Sequence, residues 1–241
     1  MSKYIKSGRY VPLTISQNFL TSKQTICRII RIAGLKKCDH VIEIGAGRGH
    51  ITRELAKTCK SVSTYEVDHK LSQQLQTEFN NSNVRVYHQD FLSAALPKDI
   101  QYKVFSNIPF NRTSDIVRKL TSSHAAPDEA WLVMEKGAAK RFTGKPCDSV
   151  ASLSLKPFID AQISYYFRRE DFHPAPSVDA VLVCLKRKDV SDLPMSQRHV
   201  FEKFVKKHYN RIIRTSRDIS YVQWLCLFRR AHKSERKKYI P

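Results

Sequence analysis

Three of the chain's seven glycines fall within five residues, in Gly45-Ala46-Gly47-Arg48-Gly49. They follow Val41-Ile42-Glu43-Ile44, a short apolar run that reads as a buried strand, and precede a helical stretch through Leu55 and Ala56. A strand, a glycine-rich turn and a helix in that order let backbone approach a ligand closely and turn helix N–H groups toward its polar atoms. The spacing here is Gly-x-Gly-x-Gly with His50 next, which departs from the Gly-x-Gly-x-x-Gly dinucleotide fingerprint. Taken alone, the turn also fits a tight strand–helix connection with no ligand, so its neighbours have to decide.

Those neighbours alternate. Ile26, Ile29, Ile30 and Ala33 recur at helical spacing before Gly34. Ser61 to Val67 reads as a second strand, and Leu71, Leu75 and Phe79 mark a helix. Val84 to Tyr87 and Lys103 to Ser106 read as strands three and four, Ile116, Val117 and Leu120 as a helix, and Ala130 to Met134 as strand five. Alternation of this kind implies an α/β fold, a mostly parallel sheet with helices on both faces. Ala161 to Phe167 and Val178 to Leu185 succeed each other with only a loop holding Pro174 and Pro176 between them. Without a crossover helix they are expected as an antiparallel edge hairpin, which makes the sheet seven-stranded. After a polar linker, Val200, Phe201, Phe204, Val205, Ile212 and Ile213 read as one helix and Tyr221 to Phe228 as another. The expected organisation is a flexible basic arm over 1–15, an α/β domain over 16–188 and a small all-helical C-terminal domain over 189–241.

Charge points to a partner. The 241 residues carry 42 Lys+Arg against 22 Asp+Glu, a formal net charge of +20. Residues 1–185 account for +9, and the last 56 residues for +11. An excess this large repels itself, and a polyanion, most commonly nucleic acid, is the partner it suits. No apolar run approaches the roughly 20 residues that cross a bilayer, and the basic N-terminus has no apolar leader segment. The six cysteines are scattered without a C-x-x-C pair, which argues against a zinc site and suits a cytoplasmic location.

Carboxylates stand at successive strand ends. Glu66 closes the second strand, where a carboxylate can accept from ribose hydroxyls. Asp90, in His88-Gln89-Asp90-Phe91, follows the third, where it could accept from an adenine amino group. Together with the glycine turn they resemble an S-adenosylmethionine methyltransferase site. The fourth strand then ends in Asn107-Ile108-Pro109-Phe110, an Asn/Asp-x-Pro-aromatic tetrad of the kind found in methyltransferases acting on exocyclic amino groups. An adenine N6 lone pair is delocalised into the ring and is a poor nucleophile. Acceptors for its two hydrogens, Asn107 Oδ1 and the Ile108 carbonyl, favour a more pyramidal nitrogen. Pro109 stiffens the turn, and Phe110 offers a ring face to an unstacked base. Ser16-Gln17-Asn18-Phe19-Leu20, before the first helix, could contact a methionine moiety or simply cap that helix.

In order along the chain stand S-Q-N-F-L, E-I-G-A-G-R-G-H, Y-E-V-D-H-K-L, H-Q-D-F-L, S-N-I-P-F-N and F-H-P-A-P-S-V-D. In these motifs the chain resembles the Erm-type 23S rRNA adenine-N6 methyltransferases, within the rRNA adenine N6-methyltransferase superfamily. That resemblance implies a Rossmann-like, S-adenosylmethionine-dependent methyltransferase fold. It also implies methylation, expected as dimethylation, of one 23S rRNA adenine, with resistance to macrolides, lincosamides and streptogramin B. Cofactor contacts are implied for Gln17, Asn18, Phe19, Gly45, Gly47, Glu66, Val67, Asp90, Phe91 and Asn107, with Val67 packed on the adenine ring. Target-base contacts are implied for Asn107, Ile108 and Phe110. The small-subunit rRNA dimethyltransferases of the KsgA type share most of these motifs, usually with N-L-P-Y as tetrad. They stand as the alternative, beside a non-catalytic RNA-binding relative. Two departures from the Erm pattern are Phe110, where many relatives have Tyr, and a shorter tail after Arg214. Candidate phosphate contacts are Lys3, Lys6 and Arg9 in the arm, with Arg112, Lys140, Arg141, Arg168 and Arg169 around the cleft. His173 is equally a cleft or a loop histidine, Trp224 reads as tail core, no metal is implied, and a monomer is expected.

Overall fold

A computed structural model describes residues 3–6, 9–12, 18–122, 125–215 and 219–237. Two short strands, β1 (Lys3–Lys6) and β2 (Arg9–Pro12), pair antiparallel where the sequence suggested an arm without structure. β3 (Phe19–Leu20) leads into α1 (Lys23–Ile32), whose N-cap Ser22 accepts from the Thr25 N–H. The core elements then alternate as β4 (His40–Ile44), α2 (His50–Thr58), β5 (Ser61–Glu66), α3 (His69–Glu78), β6 (Val84–His88), β7 (Lys103–Asn107), α4 (Thr113–Ser122) and β8 (Glu129–Glu135). After them come α5 (Lys136–Thr143), α6 (Val150–Leu155), β9 (Ile159–Tyr166), β10 (Phe172–His173) and β11 (Ala180–Arg187), then α7 (Arg198–Thr215) and α8 (Tyr221–Lys237).

The sheet has seven strands in the order β6-β5-β4-β7-β8-β11-β9. The first five are parallel, and β11 runs antiparallel to β8 with Val183 opposite Leu132. The central strands are apolar on both faces, as helices on both sides require: His40–Ile44 and Lys103–Asn107 are buried through their middles. Ile26, Ile29 and Ile30 of α1 and Ile51 and Leu55 of α2 fill one side of that core. No helix among the described residues is long and apolar enough to cross a membrane.

The order reverses between β4 and β7, the point at which a doubly wound sheet opens a crevice. Backbone pairing between these strands covers Val41↔Lys103 and Ile42↔Val104. Above it the buried Ser106 hydroxyl takes over, donating to the Ile44 carbonyl and accepting the Ile44 N–H at 3.2 Å.

The chain divides into two compact units, 1–139 with 162–187, and 140–161 with 188–241. This moves the expected boundary at 188, because residues 140–161 belong with the C-terminal helices. The second unit has its own core. Phe201 and Phe228 meet edge to face at 5.1 Å, and Trp224 is fully buried with its ring stacked on Tyr209 at 6.3 Å. The Tyr209 hydroxyl donates to the Asp148 carbonyl at 2.6 Å, which ties α7 to the segment before α6. Helices α5 and α6 escape a periodicity reading, being only 8 and 6 residues long and separated by Gly144 and Pro146.

Candidate active site

The carboxyl ends of β4, β5, β6 and β7 converge on a cavity of about 290 Å³. The glycine turn leaves β4 with Gly45, Gly47 and Gly49 all left-handed, at φ +71°, +55° and +74°. Only glycine adopts such values readily. A Cβ on Gly47 would lie 2.5 Å from the Phe19 ring, so that ring packs directly on the turn. The Arg48 guanidinium covers Phe19 at 5.2 Å from its centroid. Gly45, by contrast, is exposed on the cavity side, where a Cβ would meet nothing closer than the Pro109 ring at 3.9 Å.

Two buried carboxylates brace this turn. Glu66, 2% exposed, accepts from the N–H of Gly47 at 2.7 Å, Val67 at 2.8 Å and Asp68 at 2.9 Å. A carboxylate offers about four acceptor positions, so these three bonds leave Glu66 some capacity to accept from a ligand. Glu43, 1% exposed, accepts from the Thr52 hydroxyl at 2.7 Å. Burial pushes its pKa up to about 7, and the nearby Glu66 carboxylate adds to the rise, against the pull of its hydrogen bonds.

Beside Glu66 lies an apolar slot. Tyr65 stacks on Tyr87 at 5.0 Å and meets Phe91 edge-on at 5.5 Å, while Val67 stays 42% exposed within the cavity lining. Asp90 stands at the rim, its Oδ1 accepting from Leu92 N–H at 2.8 Å. The turn that follows Asp90 is held by α4. Lys119 Nζ donates to the carbonyls of Phe91 at 2.6 Å and Leu92 at 3.0 Å, and also to that of Ala94. It also lies 4.8 Å from the Phe91 ring centroid. Burial lowers its pKa, with Asp90 acting in the other direction.

The tetrad closes the cavity. Asn107 Nδ2 donates to the Asn18 carbonyl at 2.8 Å, which fixes the amide plane, while the buried Asn107 Oδ1 has no partner. Ile108 is buried, with its N–H on the Val133 carbonyl at 3.3 Å, and Pro109 turns the chain into a 3-10 helix, Phe110–Arg112, that runs into α4.

Asn18, Phe19, Gly45, Gly47, Glu66, Val67, Asp90, Phe91, Asn107, Ile108, Pro109 and Phe110 therefore all line one cavity. Gln17 lies outside the described residues, as do the side chains of Lys3, Lys6 and Arg9. Arg112 lines the cavity, with its guanidinium 4.0 Å from Asp90 and 3.6 Å from Asp115. Arg168 and Arg169 are exposed on the turn before β10, and Lys140 and Arg141 are exposed on α5. His173 pairs through its backbone with Phe19 and is exposed outside the cavity lining. Tyr65 and Lys119 were missed. Tyr65 is hidden inside a strand signal, and Lys119 is one cation among many on a helix surface.

A family model described as ribosomal RNA adenine dimethylase matches residues 13–221. An rRNA adenine N-6-methyltransferase of Limosilactobacillus reuteri is 39% identical over 197 residues, spanning 81% of this chain and 79% of that protein. The crystal structure of the 23S rRNA methyltransferase ErmE superposes with a TM-score of 0.72 at 29% identity, covering 80% of this chain and 79% of that one. A dimethyladenosine transferase from Plasmodium falciparum shares the fold, with a TM-score of 0.64 at 24% identity over 78% of this chain and 69% of that one.

Proposed function

The chain belongs to the ribosomal RNA adenine dimethylase family, and on that premise we propose that its cavity methylates N6 of one adenine in 23S rRNA. The observation that carries the reading is Asn107. Its Oδ1 is buried and unpartnered, and its Nδ2 is anchored on Asn18. A buried acceptor without a donor is unfavourable, and the N–H of an exocyclic amine satisfies it.

S-adenosylmethionine fits the rest of the cavity, and when bound it supplies a methyl group activated by a sulfonium. Glu66, Val67, Phe91 and Asp90 would hold it, with Glu66 accepting from the ribose, Val67 and Phe91 offering apolar contact to the adenine ring, and Asp90 accepting from the adenine amino group. Phe19 covers the glycine turn, and Asn18 anchors the Asn107 amide. Asn107 Oδ1 and the Ile108 carbonyl accept the two N6 hydrogens of the target base, which orients the lone pair for in-line attack and steadies the charge developing on nitrogen. Phe110 stacks on the flipped base, and its lack of a hydroxyl leaves only the ring face for that task. The surplus N6 proton is acidic once the amine is cationic and leaves to water without a dedicated base.

The finer parts of the reading are dimethylation, resistance to macrolides, lincosamides and streptogramin B, and action as a cytoplasmic monomer. Dimethylation and resistance rest on the resemblance in motifs described above, and the location rests on the scattered cysteines. Mass spectrometry of 23S rRNA from cells expressing the chain tests substrate and methyl count together, and N6-methylated adenine at a single position is expected. Methylation of assembled small subunits with no product on 23S fragments would favour the KsgA-type alternative.

A further inference from the structure

Helix α7 has two unlike faces. Phe201 and Val205 are buried and Phe204, His208, Tyr209 and Ile212 half-buried, and this side packs on the aromatic residues of α8. Lys203, Lys207, Arg211 and Arg214 are all exposed. At 3.6 residues per turn they fall within about 80° of arc, and successive members lie about one turn apart, a rise of about 4.5–6 Å. The helix carries six Lys/Arg and a single acid, Glu202, which pairs with Lys206 beside the row. Burial and the neighbouring Arg211 and Lys207 lower the pKa of His208, and Arg211 Nη2 lies 3.2 Å from its Nδ1.

Like charges one turn apart repel and weaken a helix. A solvated surface helix ordinarily interleaves the two signs, as α2 does where Glu54 pairs with Lys57. The row on α7 has no acid within it. It is therefore complementary to a ladder of external negative charges with a repeat close to one helical turn, which is what successive phosphates of one nucleic-acid strand present. An anionic bilayer is a poorer match, because membrane-surface helices set apolar side chains beside their cations. The apolar side of α7 is already used, with Phe201 against Phe228.

We infer that Lys203, Lys207, Arg211 and Arg214 form a phosphate-binding edge that grips the backbone of the RNA substrate. This rests on the assignment of RNA as substrate. Each neutralised phosphate contributes about 0.7–0.9 to the slope of log K against log salt. The triple variant K203Q/K207Q/R214Q should lower that slope by about 2–3 on the 23S fragment that the chain methylates. It should also raise KM for RNA tenfold or more with cofactor affinity intact. A control triple, K36Q/K60Q/K98Q, removes the same charge from exposed loops that precede β4, β5 and β7, and should change the slope far less. An unchanged slope in the α7 variant overturns the inference, and so does an equal fall in the control. Loss of binding to phosphatidylserine vesicles with RNA binding unaltered overturns it as well. None of these outcomes touches methylation by the wild-type chain, so the substrate assignment stands or falls separately.

Discussion

At the scale of single residues, two buried oxygens separate chemistry from stability. Asn107 Oδ1 lacks a partner in the protein, so Asn107→Ala removes an acceptor poised for the substrate. Turnover at saturating RNA and cofactor should fall by about 10²–10³, the usual effect of deleting one preorganised hydrogen-bonding group. RNA binding measured by filter retention should survive, and full turnover in the variant would remove Asn107 from its role. Glu43 is the opposite case, satisfied by Thr52 and sealed from water. Its folded pKa of about 7 stands above the ordinary 4.5, so between those values the folded chain holds a proton that the unfolded chain has released. Stability therefore falls as pH rises from 4.5 through 7, by up to about 3 kcal/mol at 1.4 kcal/mol per unit. Glu43→Gln should abolish that slope, gaining stability over wild type at pH 8 and little at pH 4.5. Urea titrations at the two pH values check this, and an equal difference at both would contradict it. The sequence already marked Glu66, Asp90 and Asn107, because their place at strand ends is readable from local pattern. The three N–H groups that claim the Glu66 carboxylate were not readable in that pattern, because they arrive by folding of the glycine turn.

Among elements, α4 connects the two halves of the site. It starts directly after the tetrad, and its Lys119 holds the turn that carries Asp90 and Phe91 through three carbonyls. Lys119→Met keeps the stem and removes the donors. KM for S-adenosylmethionine should rise by about tenfold, equivalent to 1.4 kcal/mol, with KM for RNA little altered, and Lys119→Arg should recover part of the loss. A drop in melting temperature with an unaltered cofactor KM would reduce Lys119 to a stabilising contact. The parallel strands and the helices between them were legible because each buries a run or stripe long enough to carry its period. Helices α5 and α6 were not, since about two turns show no period, and the partner of α6, helix α7, begins more than forty residues further on. The pairing of β1 with β2 was likewise invisible, as it follows from register rather than composition.

Across the molecule, the +20 net charge and the site have opposite signs. Among the described residues lining the cavity, Glu66 and Asp90 face a single cation, Arg112. A sulfonium is thus received by a locally acidic pocket within a strongly basic protein. The two ligands should respond differently to salt. Between 50 and 200 mM, RNA affinity should fall by about 10³–10⁵ if 6–10 phosphates are contacted, while cofactor affinity measured by calorimetry should change only a few-fold. A matching salt dependence for both would place the excess charge at the cofactor. The sequence predicted the total charge and its concentration in the tail, but not the row on one face of α7, which appears only once the helix is wound. The Ser106 hydroxyl has a last consequence. The glycine turn leaves β4 one residue after Ile44, and the tetrad leaves β7 one residue after Ser106, whose oxygen joins both strands where their ladder parts. The glycine turn and the tetrad are thereby set to one gauge, each a single residue from the same bridging oxygen.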